Sequence, residues 1–437
     1  MLRLSEIKQT GVANLGVIIY YEITMKNIKK ARKTDSEIIK LIKKEEWRQM
    51  STLNLIASEN YPSKAVRQAL GSIFVVKYAE GRPYKRYYGG QENIDKLESL
   101  VAKRALKAFN LNPGEWSVNL QPLSGAPANY EILRGLLNLG DKILCLHLPH
   151  GGHLSQGSEA SLTGKDFKPV YYYLNKDGFL DYGAIEALAL KEKPKLIIAG
   201  YTAYPRIIDF KKFGEIAKKA GAYLLADTSH ITGLIVGGVH HSPFPWADVL
   251  MTITHKTLRG PRGAMIICRK ELEGKIFPIV FPGMQGGPHM HTIAAIGVAL
   301  REAMSDEFKK YARQIIKNAK VLASELKKYD FNLVSGGTDN HLVLIDLRNK
   351  NITGKTAQEL LEKAGIITNR NTIPHDPGTP FDPSGIRLGA PALTTRGMKE
   401  KEMRLIARWI NEVIGNPREA VIIRKEVQKF CKKFPLP

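Results

Sequence analysis

Short apolar runs alternate with longer helical stretches through the middle of this 437-residue chain, and this alternation constrains its fold more than any other feature. The apolar runs cover residues 142–146, 196–199, 223–226, 249–252 and 264–268. Short runs that are apolar throughout are typical of strands buried on both faces of a parallel sheet. The stretches between them, such as residues 213–220, have the apolar spacing of crossover helices. We therefore predict an α/β fold with an open, mostly parallel sheet that contains all these runs.

The segments on either side of this region predict a different organisation. Residues 34–50 have a helical pattern with Asp35 as a candidate cap, and residues 52–92 are an irregular stretch typical of a functional loop. Residues 292–329 predict two helices broken near Ser305, and strands and helices are mixed after that. We predict an N-terminal extension over residues 1–24, a helix and arm over 25–85, a large domain over 86–305 and a smaller α+β domain over 306–437.

The chain carries a formal net charge of +23, which raises the question of a nucleic-acid-binding protein. Its Lys and Arg residues are spread along the whole length, and neither a zinc finger nor an RNA-recognition motif accompanies them. We interpret the charge as a solvated surface that also attracts anionic small molecules, and we expect no nucleic-acid partner.

Three cysteines and one apolar segment indicate where in the cell the protein is expected. Cys145, Cys268 and Cys431 show no metal-type spacing, which favours a reducing compartment and predicts a cytoplasmic protein. Residues 11–21 are apolar but too short to span a bilayer, so we expect no membrane association.

Three motifs at the ends of predicted strands and helices contain the candidate cofactor-binding residues. Residues 124–129 (SGAPAN) precede a helical run over 130–137, so their backbone N–H groups could bind a phosphate, although a helix cap without a ligand has the same pattern. Asp227 ends a strand, where a carboxylate either pairs with a protonated pyridine nitrogen or caps the next helix. Lys256 follows another strand and is either a Schiff-base lysine or a surface lysine in a turn. Their order and spacing favour pyridoxal phosphate (PLP) bound to Lys256.

Two further motifs offer side chains for ligands. The run from His150 to His153 (HGGH) supplies an imidazole that could stack on an aromatic cofactor. A metal site there is disfavoured because no Cys, Asp or Glu stands nearby at ligand spacing. Arg387 lies between glycines, where a guanidinium could bind a substrate carboxylate through two hydrogen bonds, although many such arginines are structural.

Together these motifs resemble those of the serine hydroxymethyltransferases. The similarity runs from Leu53 to Trp409, and it is carried by residues 55–61 (LIASENY), 77–81 (KYAEG), 85–90 (KRYYGG), 150–154 (HGGHL), 254–263 (THKTLRGPRG), 281–288 (FPGMQGGP), 335–341 (SGGTDNH) and 384–389 (SGIRLG). The resemblance implies a PLP-dependent fold of type I, like that of aspartate aminotransferase, with a large domain around a mostly parallel sheet and a smaller C-terminal α+β domain. It also implies a homodimer with shared active sites.

The resemblance implies roles at matching positions. Lys256 holds PLP as a Schiff base, Asp227 pairs with the pyridine nitrogen, His153 stacks on the ring and His230 lies near the phenolic oxygen. The cofactor-binding set is Lys256, Asp227, His153, His255, Ser124, Gly125 and Thr202, with Tyr78 and Gly287 from a partner subunit. The substrate-binding set is Ser58 and Arg387 at the carboxylate, with Glu80 and Tyr88 from the partner at the hydroxymethyl group. The catalytic set is Lys256, Glu80, Tyr88, His230 and Arg262, in which Glu80 transfers protons. The pterin-binding set is Leu148, Gly152, His153, Leu154, Asn371, Thr379, Pro380 and Phe381.

The implied reaction is the reversible interconversion of serine and glycine. Serine displaces Lys256 as an external aldimine, its Cα–Cβ bond is cleaved, and the one-carbon unit passes to a reduced pterin. Tetrahydrofolate, which becomes 5,10-methylenetetrahydrofolate, is the expected acceptor. Tetrahydromethanopterin is an alternative because His375 stands where the family frequently has Asn.

One other enzyme class is an alternative to the transferase, and one residue of the phosphate loop differs from the usual pattern of the family. A pterin-independent threonine or serine aldolase would share the fold, but Glu80, Asn371 and Leu148 favour the transferase. Ala126 stands where the family's phosphate loop usually has a second Ser. We predict a lower PLP affinity from the loss of that hydroxyl, because one neutral hydrogen bond contributes about 0.5–1.5 kcal/mol.

Overall fold

The structure, a computed structural model, describes residues 35–437. Its contacts divide the chain into one unit that ends at Thr52 and a second unit, Leu53–Pro437. In the first unit, helix α1 (Ser36–Met50) begins where predicted, because the Asp35 carboxylate accepts a hydrogen bond from the Ile38 N–H at 3.0 Å. The predicted extension over residues 1–24 and the beginning of the predicted 25–85 segment lie outside the described residues.

The second unit contains most of the secondary structure. Its strands are β1 (Leu53–Asn54), β2 (Gly81–Arg82), β3 (Lys85–Arg86), β4 (Trp116–Asn119), β5 (Lys142–Leu146), β6 (Lys168–Tyr172), β7 (Leu196–Ala199), β8 (Tyr223–Asp227), β9 (Val249–Ile253), β10 (Ala264–Arg269), β11 (Asn332–Leu333), β12 (Leu342–Asp346), β13 (Ile366–Ile367), β14 (Asn369–Asn371) and β15 (Gly385–Gly389). Its α-helices are α2 (Lys64–Leu70), α3 (Glu92–Ala108), α4 (Gly125–Leu136), α5 (Leu162–Asp166), α6 (Tyr182–Glu192), α7 (Phe210–Ala220), α8 (Thr232–Val236), α9 (Glu273–Pro278), α10 (Met290–Ala303), α11 (Asp306–Lys328), α12 (Gly354–Lys363), α13 (Pro391–Thr395), α14 (Glu400–Gly415) and α15 (Glu419–Cys431).

Seven strands form the main sheet, in the order β4-β10-β9-β8-β7-β5-β6. The five strands from β9 to β6 in that order are parallel. Along β5, Ile143 and Cys145 pack into one apolar core while Leu144 and Leu146 pack into another, because successive side chains point to opposite faces. Both faces of the sheet are therefore covered, and the predicted α/β fold with a mostly parallel sheet is confirmed.

One strand runs against the prediction. The run over residues 264–268 was predicted to be parallel, but β10 is antiparallel to both β9 and β4. Only residues 254–263 connect β9 to β10, and a parallel connection needs a crossover of a dozen or more residues. The chain therefore turns directly back, and Lys256 lies in this short return.

The C-terminal part is built around a second, antiparallel sheet with the order β11-β12-β15-β14. The predicted break near Ser305 is confirmed, because the Ser305 hydroxyl caps α11 by accepting a hydrogen bond from the Phe308 N–H at 3.2 Å. Within the stretch over 52–92, which was predicted to be irregular, Ser63 caps the short helix α2. The predicted boundary between domains at residues 305 and 306 stays a prediction.

Among the described residues, no helix is long and apolar enough to cross a membrane.

Candidate active site

A cavity of about 400 Å³ opens where β8 and β9 end. Of the residues predicted from the sequence, those that line it are Ser58, Ser124, Gly125, His153, Thr202, Asp227, His230, His255, Lys256 and Arg262. A larger cavity of about 580 Å³ lies elsewhere, beside Arg82 and Phe277, and none of these residues lines it. Because ligands of open α/β sheets bind at the carboxyl ends of strands, we take the smaller cavity as the candidate active site.

Lys256 is buried in this cavity, with 7% of its surface exposed. Burial lowers the pKa of its amine to about 7, Asp227 partly opposes this effect, and Arg387 and Arg262 add to it. Its backbone is held from outside the sheet, because the Asn60 amide donates to the Lys256 carbonyl at 3.0 Å and to the Tyr311 hydroxyl at 2.8 Å. The lysine is thus a buried amine in a fixed loop rather than a surface lysine in a turn.

Asp227 is the last residue of β8, and three donors hold its carboxylate. Gln156 Nε2 and Asn129 Nδ2 donate to Oδ2 at 2.7 and 3.1 Å, and the Ser229 N–H donates to Oδ1 at 3.1 Å. Asp227 does not cap α8, which begins at Thr232. No role was predicted for Gln156, and Asn129 was predicted only as part of the phosphate motif. Both contacts span more than seventy residues of chain, so no local pattern points to them.

The helix that follows the phosphate motif was predicted to begin five residues too late. Helix α4 begins at Gly125 rather than near residue 130, because Pro127 is compatible with the first turn of a helix. Ser124 stands at the N-cap, and its hydroxyl makes no capping hydrogen bond. A side chain at Gly125 would place its Cβ 2.6 Å from Ile253 Cγ2, so only glycine fits there. The helix end therefore presents free backbone N–H groups and a free hydroxyl to the cavity.

His255 lines the same cavity as this helix end. Burial, together with Arg262 and Lys256, lowers the pKa of its imidazole to about 3, so the ring is neutral. Arg262 Nη1 lies 3.4 Å from His255 Nε2, while His255 Nδ1 is buried without a hydrogen-bond partner among the described residues. Buried polar atoms are normally hydrogen-bonded, so this nitrogen indicates a missing ligand atom.

Arg387 lies in β15 of the second sheet; it does not itself line the cavity, but it contacts Thr202, which does. Its Nη1 donates to the Thr202 carbonyl at 2.7 Å and its Nε donates to Asn369 Oδ1 at 3.2 Å. Burial lowers the pKa of the guanidinium to about 10, and in the described part of the chain no carboxylate pairs with it. A buried cation without a paired anion is costly, so the arrangement suits an anionic ligand.

His153 lines the cavity, as Thr202 does. Its Nδ1 is 2.8 Å from the Ser155 hydroxyl, and burial lowers the pKa of the ring. The Thr202 hydroxyl donates to the Gly152 carbonyl at 2.8 Å, which joins the loop after β7 to the loop after β5. The imidazole is consequently neutral and held in place at the cavity wall.

The predicted residues Tyr78, Glu80, Tyr88 and Gly287 are not among those that line this cavity, and they form a second cluster. The rings of Tyr78 and Tyr88 meet edge to face at 5.3 Å. A Cβ on Gly287 would lie 3.3 Å from the Tyr78 ring, and one on the preceding glycine would lie 3.1 Å from Glu80 Oε1. Within one chain, these four residues contact one another rather than line the cavity of Lys256.

The predicted pterin-binding residues lie on two loops. Leu148, Gly152 and Leu154 follow β5, while Asn371, Thr379, Pro380 and Phe381 lie at and after β14. The imidazoles of His150 and His375 meet edge to face at 4.7 Å and bring the two loops together. Leu154 is 52% exposed and Phe381 is 79% exposed, so both side chains remain accessible.

Comparisons with known proteins agree on one family. The family model for serine hydroxymethyltransferase matches residues 31–410. A serine hydroxymethyltransferase of Desulfotalea psychrophila is 54% identical over 406 residues, which cover 92% of this chain and 95% of that protein.

Proposed function

The chain belongs to the serine hydroxymethyltransferase family, whose transferases interconvert serine and glycine, and from this premise we propose that it uses PLP at Lys256 and a reduced pterin as one-carbon acceptor. The observation that carries the proposal is one cavity that holds a buried lysine of lowered pKa and a carboxylate with three hydrogen bonds. The unpaired guanidinium of Arg387 lies beside them.

The donor set of the cavity fits PLP. The N-terminus of α4, the Ser124 hydroxyl and the unpartnered His255 Nδ1 suit its phosphate. Asp227 suits its ring nitrogen and His153 suits its ring face, since both line the same cavity. When bound there, PLP supplies an electron-withdrawing ring that allows the Cα of an amino acid to give up a substituent.

The residues of this chain then have distinct tasks. With a pKa of about 7, much of the Lys256 amine carries a free electron pair near neutral pH and can bond to a carbonyl carbon. Asp227, oriented by Gln156 and Asn129, accepts a hydrogen bond from a protonated ring nitrogen and keeps that proton in place. Arg387 binds the carboxylate of the amino acid, and Glu80 transfers the proton of the serine hydroxyl.

The simplest test is serine-dependent formation of glycine by the purified protein with PLP and tetrahydrofolate. Lys256→Ala should abolish turnover and also the absorbance of the lysine-bound cofactor. Glycine formation by Lys256→Ala at the wild-type rate would overturn the proposal.

We propose that two copies of the chain build each site. Glu80 and Tyr88 must act on a substrate at Lys256, yet in one chain they lie in a separate cluster. The arm that carries them also leaves large side chains uncovered: Ile73 is 78% exposed, Val76 is 74% exposed and Tyr87 is 75% exposed. An apolar strip of this kind is typical of a surface that another chain covers.

Mixing two inactive variants tests this sharing. Refolding Lys256→Ala together with Glu80→Gln should restore about a quarter of wild-type activity, because half of the dimers are mixed and one of their two sites is intact. Each variant refolded alone is the control. If the mixture stays as inactive as the controls, Lys256 and Glu80 act within one subunit or the assembly is not shared.

The two loops joined by His150 and His375 are the proposed pterin site, and tetrahydrofolate is the proposed carrier, with tetrahydromethanopterin as the competitor. Serine cleavage should be at least tenfold faster with the true carrier than with the other. Threonine cleavage without any pterin-stimulated serine turnover would instead identify a pterin-independent aldolase.

We also propose a cytoplasmic location, supported by Cys145, Cys268 and Cys431, which are all buried and free.

A further inference from the structure

Two buried histidines meet at the wall of the candidate active site. His230 follows β8 in the main sheet, whereas His341 precedes β12 in the second sheet. His230 Nδ1 lies 3.2 Å from His341 Nε2, and the ring planes differ by 28°. The ring centres are 5.4 Å apart, longer than the nitrogen separation by roughly one ring width, so the nitrogens face each other edge to edge. This is the geometry of an N–H···N hydrogen bond.

A single proton lies between the two rings. Burial lowers the pKa of His230 well below its usual value and that of His341 to about 3, with Lys256 and Arg387 adding to both effects. Both imidazoles are therefore neutral, and each carries one N–H. Either His230 Nδ1 donates to His341 Nε2, or His341 Nε2 donates to His230 Nδ1.

The other nitrogen of His341 decides between these arrangements. His341 Nδ1 is buried and has no hydrogen-bond partner among the described residues. If His230 were the donor, this Nδ1 would be a buried N–H without an acceptor, which is rarer in proteins than a buried acceptor without a donor. The favoured arrangement therefore has His341 Nε2 as the donor, and the proton of His230 then resides on Nε2.

We propose that His341 is a positioning residue that holds His230 as its Nε2–H tautomer, so that His230 presents an N–H donor to an anionic oxygen in the cavity. That oxygen is either the ring oxygen of PLP or the carboxylate of the amino acid. His230 lines the cavity, and its carbonyl accepts from the Thr257 hydroxyl at 2.9 Å, which fixes the residue beside Lys256. This step rests on the proposed function, because it assumes that PLP and an amino acid bind in this cavity.

Tautomers can be measured without turnover. The full-length chain, with 11 histidines, is labelled with ¹⁵N at histidine and studied by NMR with PLP bound and again after its removal. The wild type should show His230 protonated at Nε2 and bare at Nδ1. His341→Leu should remove this preference, and His341→Gln, whose amide can still donate, should restore it. An unchanged His230 tautomer in His341→Leu would overturn the proposal whether or not the enzyme is active.

Binding assays identify the oxygen. His341→Leu should raise the dissociation constant of PLP or the KM for serine by roughly two- to tenfold, which corresponds to the loss of one hydrogen bond. A higher constant for PLP indicates its ring oxygen, and a higher KM indicates the carboxylate. If both values stay at the wild-type level, His230 presents no donor that His341 controls.

A matched control separates positioning from general destabilisation. His240 is also a buried histidine, with a pKa lowered to about 4 chiefly by burial, and it does not line the cavity. His240→Leu should lower stability as His341→Leu does, but it should leave the His230 tautomer unchanged. If His240→Leu alters that tautomer equally, the effect is structural and the assignment to His341 fails.

Discussion

Replacing Glu131 with methionine should stabilise the protein increasingly as the pH rises. Glu131 lies on α4, is fully buried, and neither carboxyl oxygen has a hydrogen-bond partner among the described residues. Burial raises the pKa of this carboxyl from 4.5 to about 8. Methionine has a similar length and no charge, so the substitution removes the ionisable group without a large change of volume.

The magnitude follows from proton linkage. Between pH 4.5 and pH 8 the folded chain keeps a proton on Glu131 that the unfolded chain has lost. The free energy of unfolding therefore falls as the pH rises through this interval, by about 1.4 kcal/mol per pH unit. Integrated between pH 5 and pH 8.5, the advantage of Glu131→Met over wild type should grow by about 4 kcal/mol.

Urea denaturation of both proteins at pH 5 and pH 8.5 measures this difference. Protein and PLP concentrations must be equal in all samples, because association and ligand binding shift apparent stability. Glu362→Met is the control, because Glu362 is exposed on α12 and its charge stays in water. A stability gain for Glu131→Met that is the same at both pH values would refute the reasoning, since it would mean that Glu131 ionises normally in the folded chain.

Three further substitutions test the cofactor site and its support. Gln156→Leu removes the 2.7 Å hydrogen bond to Asp227, and a bond to a charged group contributes about 1.5–3 kcal/mol, so the dissociation constant of PLP should rise at least tenfold in a spectroscopic titration. Ala126→Ser restores a hydroxyl at the start of α4 and should lower that constant roughly two- to tenfold; no change would show that residue 126 does not reach the phosphate. Tyr311→Phe leaves the Asn60 amide without one acceptor and should cost roughly 1–3 kcal/mol in urea denaturation.

The main sheet was predictable where strands are apolar throughout. β5 and β7 have the predicted bounds, because every residue of β7 and every residue of β5 after Lys142 is apolar and buried. β6 (Lys168–Tyr172) was missed because it contains Pro169 and lies at the edge of the sheet, where its first four side chains are exposed or only partly buried. Local pattern thus predicted the centre of the sheet better than its edges.

The candidate site was predictable where a residue type has unusual chemistry for its position. Lys256 and Asp227 at strand ends suggested PLP before any contact was known. Gln156 and His341 were not assigned roles, because an amide or a neutral imidazole has no distinctive periodicity. Their contacts to Asp227 and His230 join positions 71 and 111 residues apart. Such partners depend on the tertiary fold, and the resemblance to a family did not name them.

The strand that was predicted in the wrong direction explains why Lys256 is held so firmly. Because β10 returns beside β9, residues 254–263 must reverse within a short loop, and the loop closes on itself: the Gly260 N–H donates to the Thr254 carbonyl at 2.7 Å and the Arg259 N–H donates to the Lys256 carbonyl at 3.0 Å. Arg259 has a φ of 62°, which this tight reversal imposes on a residue other than glycine. A parallel crossover would have placed Lys256 at the start of a longer, less constrained connection. The antiparallel return instead fixes the lysine backbone at the sheet end, where the amine is buried at the cavity wall and burial lowers its pKa.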